Sequence, residues 1–446
     1  MNLARTLARA AADLSRRIHL AAKVAPTLAC SLWLACSTTA RSQSLAINTL
    51  AGNATQGSAD GFGSSARFNL PLGVTAENAG NIYVADTANS TIRKITPAGA
   101  VSTFAGLAGT FGSADGAGTN GRFYGPQGIA VDSVGFIYVA DTANATIRRI
   151  SPEGTVSLFA GSTGNANSLD GTGANAYFHQ PEGLAVDGDD HVYVADAWNH
   201  TIRKITPAGV VTTLAGLAGN LGSADGTNSK ARFNRPAAIA LDGAANLYVT
   251  DSLNHTIRRI TPGGAVSTIA GLAGVWGSAD GTNSTARFFH PQGICAADAA
   301  TLFVVDSGNQ ALRKLAANGT NWVVSTVAGL PGIAGFADGT GSAAQFGLPV
   351  GAALDAAGNL YLADSGNNAI RTTAVVEPLL QFSVAGNELA LAWPSYLTGF
   401  VLETAGTVAA GAVWTPLTNG IAMAGNNFIL TTNMAGAAAF YRLHKP

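Results

Sequence analysis

Ile82-Tyr83-Val84-Ala85-Asp86 decides the fold, because it does not stand alone. The same five residues return at 137–141. Close variants follow at 192–196 (Val-Tyr-Val-Ala-Asp), 247–251 (Leu-Tyr-Val-Thr-Asp), 302–306 (Leu-Phe-Val-Val-Asp) and 360–364 (Leu-Tyr-Leu-Ala-Asp). Their terminal aspartates, Asp86, Asp141, Asp196, Asp251, Asp306 and Asp364, are separated by steps of 55, 55, 55, 55 and 58. Three further markers keep the same steps. These are a Phe at 68, 123, 178, 233, 288 and 346, a Pro at 71, 126, 181, 236, 291 and 349, and the Asp of an Asp-Gly pair at 60, 115, 170, 225, 280 and 338. A fixed period held by independent markers is the signature of a repeat architecture.

Within one unit, Gly73–Glu77, Ile82–Asp86, Thr91–Thr96 and Ala100–Ala105 read as four short strands. Turns rich in Gly, Asn and Pro separate them, and no stretch has helical periodicity. The fourth strand ends in Ala-Gly at Gly106, Gly161, Gly216, Gly271 and Gly329. A sixth copy, Ala46–Gly52, precedes the first unit, while the last unit stops after Ile370-Arg371. The N-terminal strand therefore supplies the missing strand of the last unit and removes the open edge. The expected fold is all-β: a six-bladed β-propeller over 44–375, closed by its N-terminal strand. After Glu377-Pro378 the period ends, and residues 376–446 read as a small β-sandwich of six strands with Trp393, Trp414 and Tyr441 in its core.

Composition agrees with many short strands and tight turns. Of the 446 residues, 54 are glycine, roughly 12% where about 7% is usual. Only 11% are charged, which excludes a coiled coil, and the 47% hydrophobic content excludes a disordered chain. No apolar run reaches the length of about 18 residues that a membrane-spanning helix needs. Residues 1–43 place Arg5, Arg9, Arg16, Arg17 and Lys23 before an apolar stretch, Val24 to Cys36, and then small residues. That is the order of an export signal. Ser15-Arg16-Arg17 resembles a twin-arginine signal, and the segments ending in Cys30 and Cys36 leave a lipid anchor open. Setting aside this leader, with six Lys/Arg and one Asp, leaves 19 basic and 25 acidic residues. Such a balance argues against nucleic acid as a partner. The leader also holds two of the three cysteines, so Cys295 remains alone and no disulfide framework is available.

Asn199-His200 and Asn254-His255, each followed by Thr-Ile-Arg, resemble the Asn-His-Leu signature of NHL-repeat propellers. So does the recurring pattern from Phe68 through Pro71 to Asp86. The resemblance implies a propeller and says little of function, since one fold hosts many roles. Related architectures include calcium-dependent lactonases and esterases of the gluconolactonase type and a zinc-dependent peptidyl-hydroxyglycine lyase. Both imply metal ligands on the inner strands. Here those strands read Gly-Val-Thr-Ala (73–76), Gly-Ile-Ala-Val (128–131), Gly-Leu-Ala-Val (183–186), Ala-Ile-Ala-Leu (238–241), Gly-Ile-Cys-Ala (293–296) and Gly-Ala-Ala-Leu (351–354), without carboxylate, His or Asn. The C-terminal region resembles the fibronectin-type-III-like modules that end many secreted bacterial proteins.

A residue repeated six times in a closed ring is structural. The Asp86 set is expected to cap its own turn. The arginines Arg93, Arg148, Arg203, Arg258, Arg313 and Arg371 are expected to pair with a repeated Asp. The Asp60 set leaves calcium open, and otherwise no cofactor is expected. His179, His200, His255 and His290 lie towards the long connections of blades 3 to 5, and a zinc cluster would require three to converge. Aromatic residues break the symmetry: Phe111, Tyr124, Trp198, Trp276 and Phe289 replace varied residues of other units. All map to the face of the long connections. They either fill local pockets or offer contact area to a ligand. The expected function is that of an exported, non-enzymatic scaffold binding protein or glycan through this face. A metal-dependent lactonase, esterase or lyase is the alternative, and an envelope component a third.

Overall fold

The computed structural model describes residues 44–373 and, beyond them, 381–385, 388–394, 401–405, 413–424, 427–433 and 440–444. The expected leader and the Glu377-Pro378 linker lie outside the described residues. Those described are strands and turns, with three-residue 3-10 segments and no α-helix. Six antiparallel sheets form the blades of a propeller. Their inner strands, Pro71–Ala76, Pro126–Val131, Pro181–Val186, Pro236–Leu241, Pro291–Asp298 and Pro349–Leu354, pack against one another in ring order, the sixth against the first.

Blade 1 continues outward through Ile82–Asp86, Thr91–Ile95 and Ala100–Ala105, as expected, and then adds a strand. Gly61–Phe62 pairs with Val101 and Ala100, and each other blade gains an equivalent two-residue strand. The blades thus have five strands where four were expected. Sheet edges expose unpaired N–H and C=O groups, and the long connection satisfies some of them as it passes. The extra length of the 55-residue unit is spent partly at the outer rim.

The sixth blade is closed by the N-terminal strand, Ala46–Gly52. It pairs with the third strand, Asn48 with Thr372 and Gly52 with Ala369, and with the outer strand Gly339–Thr340. Ile47, only 1% exposed, joins Val305, Val327 and Leu362 in the core between blades 5 and 6. The other five cores likewise lie between blades; Tyr83 and Ile92 of blade 1 pack against Ile129 and Val139 of blade 2. No blade can bury its faces alone, so closure and stability are coupled.

Beneath each long connection lies a buried arginine. Arg93 donates from Nη1 to Asp86 Oδ2 at 2.9 Å and to the Arg67 carbonyl at 2.8 Å. Its Nη2 donates to Asp60 Oδ1 at 2.7 Å and to the Ala59 carbonyl at 3.1 Å. The guanidinium lies over the Phe68 ring, 5.2 Å from its centroid. The other five arginines repeat the arrangement on Asp141, Asp196, Asp251, Asp306 and Asp364, at 2.6 to 3.3 Å. The Asp86 set accepts no backbone N–H of its own turn, contrary to expectation. Asp86 Oδ1 accepts the amide of Asn69, 17 residues upstream, and Oδ2 accepts Asn89 Nδ2 at 2.8 Å. Burial pushes Asp141, Asp251 and Asp306 up to about 6, opposed by these amide and guanidinium donors.

The C-terminal region forms two sheets. One contains Gln381–Ala385, Glu388–Pro394, Asn427–Asn433 and Ile421–Ala424; the other contains Thr415–Pro416, Val401–Ala405 and Phe440–His444. Leu391, Leu402 and Leu430 form a shared core with Phe428 and Tyr441 against it. Among the described residues there are seven strands where six were expected, Ile421–Ala424 being the addition. Trp414 is half-buried, and the Trp393 side chain lies outside the described residues.

Removing one partner of a buried ion pair leaves an uncompensated charge, at a cost of about 3–5 kcal/mol. Arg148→Met should lower the denaturant midpoint accordingly, and adding Asp141→Asn should recover a substantial part. Equal midpoints for Arg148→Met and the parent chain in urea unfolding would refute a clamping role.

Candidate functional site

Each inner strand begins with a proline paired to the aspartate that ends the second strand, as Pro71 is to Asp86. The start of the inner strand, the Thr87–Asn89 turn and the end of the long connection therefore share one face. At its centre the six inner strands line a cavity of ≈ 80 Å³. Its collar is glycine. A Cβ at Gly73, Gly128, Gly183, Gly293 or Gly351 would stand well inside van der Waals contact of the next blade's backbone carbonyl. The sixth position is Ala238.

Above the collar the side chains differ from blade to blade. The positions after the prolines hold Leu72, Gln127, Glu182, Ala237, Gln292 and Val350, all lining the cavity. Those before the prolines hold Leu70, Gly125, Gln180, Arg235, His290 and Leu348, and all six are left-handed, with φ between 49 and 58°. Five of the six keep a side chain in a conformation that favours glycine. One carboxylate and one guanidinium occur among these twelve positions, and the fold joins them. Arg235 Nη2 donates to Glu182 Oε1 at 2.8 Å, from blade 4 to blade 3. Glu182 is 15% exposed, and burial pushes its carboxyl upward against the pull of Arg235. Arg235 lies over the Trp198 ring, 5.0 Å from the centroid, with His179 on that ring at 5.7 Å.

Glu182 corrects an expectation: the inner strands do carry a carboxylate. They start at the proline, two residues earlier than turn chemistry suggested. A comparison of the two positions flanking each proline would have singled out both residues. Their contact across 53 residues of chain leaves no spacing signal.

The structure pairs the aromatic candidates. Phe111 stacks on Tyr124 at 4.8 Å, and Trp276 packs on Phe289 at 5.0 Å. Phe111 and Trp276 are 66% and 65% exposed. Two histidines have a defined role as clasps between blades. His200 Nδ1 accepts the Arg235 amide at 3.2 Å, and His255 Nδ1 accepts the His290 amide at 3.3 Å. In blade 6, Asn368 Oδ1 does the same for Leu70 at 2.9 Å.

The residues do not fit a metal at the axis. Glu182 is the one carboxylate lining the cavity and is bonded to Arg235, and the described residues contain no group of three His, Cys, Asp or Glu able to hold an ion. Asp60 and its equivalents accept arginine and mostly threonine donors. Burial pushes the Cys295 thiol up to about 12, which makes it a poor nucleophile. On the opposite face Asp132, Asp187, Asp242 and Asp355 accept backbone amides of their hairpin turns. No helix among the described residues is long and apolar enough to cross a membrane.

Burial and the charges of Arg235 and His179 hold His200 below its ordinary value. Burial and His290 do so for His255. The unfolded chain then takes up protons first. The clasps' contribution is present above the unfolded value of about 6.5 and is lost as the pH falls below it. His200→Asn with His255→Asn, copying Asn368, should keep the clasp and flatten this loss. Melting temperatures of parent and variant between neutral pH and pH 5 check it; parallel profiles would count against the clasps.

The NHL repeat model matches residues 68–95, 123–150 and 178–205. Human NHL repeat-containing protein 2 is 30% identical over 302 residues, which cover 59% of this chain and 41% of that protein. The chain thus spans well under half of that relative's length. A structural genomics protein of unknown function from Bacteroides thetaiotaomicron superposes with a TM-score of 0.57 and 22% identity, covering 74% of this chain and 76% of the other. An auxiliary nutrient binding protein from Bacteroides ovatus gives a TM-score of 0.55 and 17% identity over 74% and 76%. Six blades closed on themselves make the chain a β-propeller; it carries NHL repeats at these three segments, in its first three blades, and has NHL-repeat proteins among its homologues.

Proposed function

We propose that this protein is a non-enzymatic binding scaffold that takes a protein or glycan ligand at the axis mouth, on the face of the long connections. The supporting observation is the Glu182–Arg235 pair. A half-exposed guanidinium and a nearly buried carboxylate stand at positions that the other blades fill with neutral residues or histidine. Burying such a pair carries a desolvation cost. The other blades close without one, so the fold does not require it. It sits beneath an exposed tryptophan, and convergent polar groups with aromatic walls in a concavity are what ligand sites use. The same fold serves a protein described as nutrient-binding in Bacteroides ovatus, so the architecture accommodates such a role. In this proposal residues 1–43 export the chain, and the C-terminal sheets act as a fibronectin-type-III-like spacer or adhesion module.

Screening the full chain on a glycan array and against secreted proteins should give saturable binding. Glu182→Gln and Trp198→Ala should each weaken it by about tenfold, or ~1.4 kcal/mol, without lowering the melting temperature. Binding untouched by both substitutions, or lost only together with folding, would reject the mouth as the site.

A further inference from the structure

Two of the six blades share a feature that the others lack. Phe111, Tyr124 and Gln127 belong to blade 2 and its incoming connection; Trp276, Phe289 and Gln292 are their counterparts at blade 5. Each pair of aromatic rings is in contact, and each glutamine lines the axial cavity. At the position of Phe111 and Trp276 the remaining units carry Gln56, Ala166, Leu221 and Ala334, so folding does not call for an aromatic there. Blades 2 and 5 are three steps apart in a closed ring of six. The two aromatic platforms therefore stand on opposite sides of the axis, with the two carboxamides between them.

The pattern along this diameter is apolar ring, amide, mouth, amide, apolar ring. Gln127 and Gln292 make no side-chain hydrogen bond among the described residues, so each offers a donor and an acceptor. The charges at the mouth, Glu182 and Arg235, neutralise each other. A ligand that suits this line is extended and uncharged, with flat C–H faces for the rings and hydroxyl edges for the amides.

From this we infer that the protein binds a linear neutral oligosaccharide laid across the axis mouth, stacked at one end on Phe111–Tyr124 and at the other on Trp276–Phe289. This deepens the proposed mouth site and depends on it. The two platforms act as linked subsites, so a chain long enough to reach both gains affinity that neither gives alone.

The test titrates the full chain with neutral oligosaccharides of glucose, xylose and mannose, from monosaccharide to octasaccharide. Calorimetry and tryptophan fluorescence are the readouts. Affinity for the matching series should rise with length and then level off once both platforms are reached. Phe111→Ala and Trp276→Ala should each cost about tenfold for the long chain and little for the short ones. Both side chains are exposed, so the melting temperature should stay unchanged. Affinity independent of length, or a long chain indifferent to both truncations, would overturn the inference. If Glu182→Gln still weakens the short ligand in that case, the mouth site survives without the platforms. If no member of the panel binds, or a protein binds and no oligosaccharide displaces it, the glycan assignment fails whatever becomes of the mouth.

Discussion

Six arginines, each below 2% exposed, hold this molecule together from inside. Each guanidinium reaches three pieces of chain at once: the end of the second strand through Asp86 or its equivalent, the long connection through Asp60 or its equivalent, and the backbone beside the repeated phenylalanine. A lysine could not replace it, because only a planar fork of donors serves several acceptors at fixed angles while stacking on a ring. The connection has few apolar residues to bury and would otherwise have little reason to lie in one place. Its backbone carbonyls instead find charged donors, and the exposed aromatics it carries are positioned by a rigid base.

That base is indifferent to what stands on it. Asp, Arg, Phe and Pro recur in every blade, and the N-terminal strand completes the sixth so that the set is closed. Of the residues flanking each proline, those after it line the mouth, and neither set takes part in the clamp. They range from leucine and valine in blades 1 and 6 to glutamate, arginine and histidine in blades 3 to 5. The repeat supplies position, and the exceptions to it supply chemistry.

The fold was readable because its cause is periodic. Four markers in one register gave the blade number, and an unmatched copy of the fourth strand gave the closing segment. What escaped had other causes. Gly61–Phe62 and its equivalents are two residues long and begin with Gly, too short to read as strands; a neighbour's unsatisfied edge makes them strands. Asp86 reads as the cap of the turn beside it, yet the backbone amide it accepts is that of Asn69, which only tertiary structure brings near. Glu182 and Arg235 leave no local signal of their pairing, since they meet across a blade boundary. The exposed aromatics were visible as departures from the repeat, but their pairing and opposition emerge only once the ring is closed.

The glycine collar has a consequence for how such a protein diversifies. With five inner strands resting α-carbon against carbonyl, the hub admits no side chain larger than hydrogen at those points. Single substitutions there can neither widen the bore nor furnish it with new groups. A lineage changing its ligand is left with the rim, where each blade varies independently, and a change of calibre would demand the gain or loss of a whole blade.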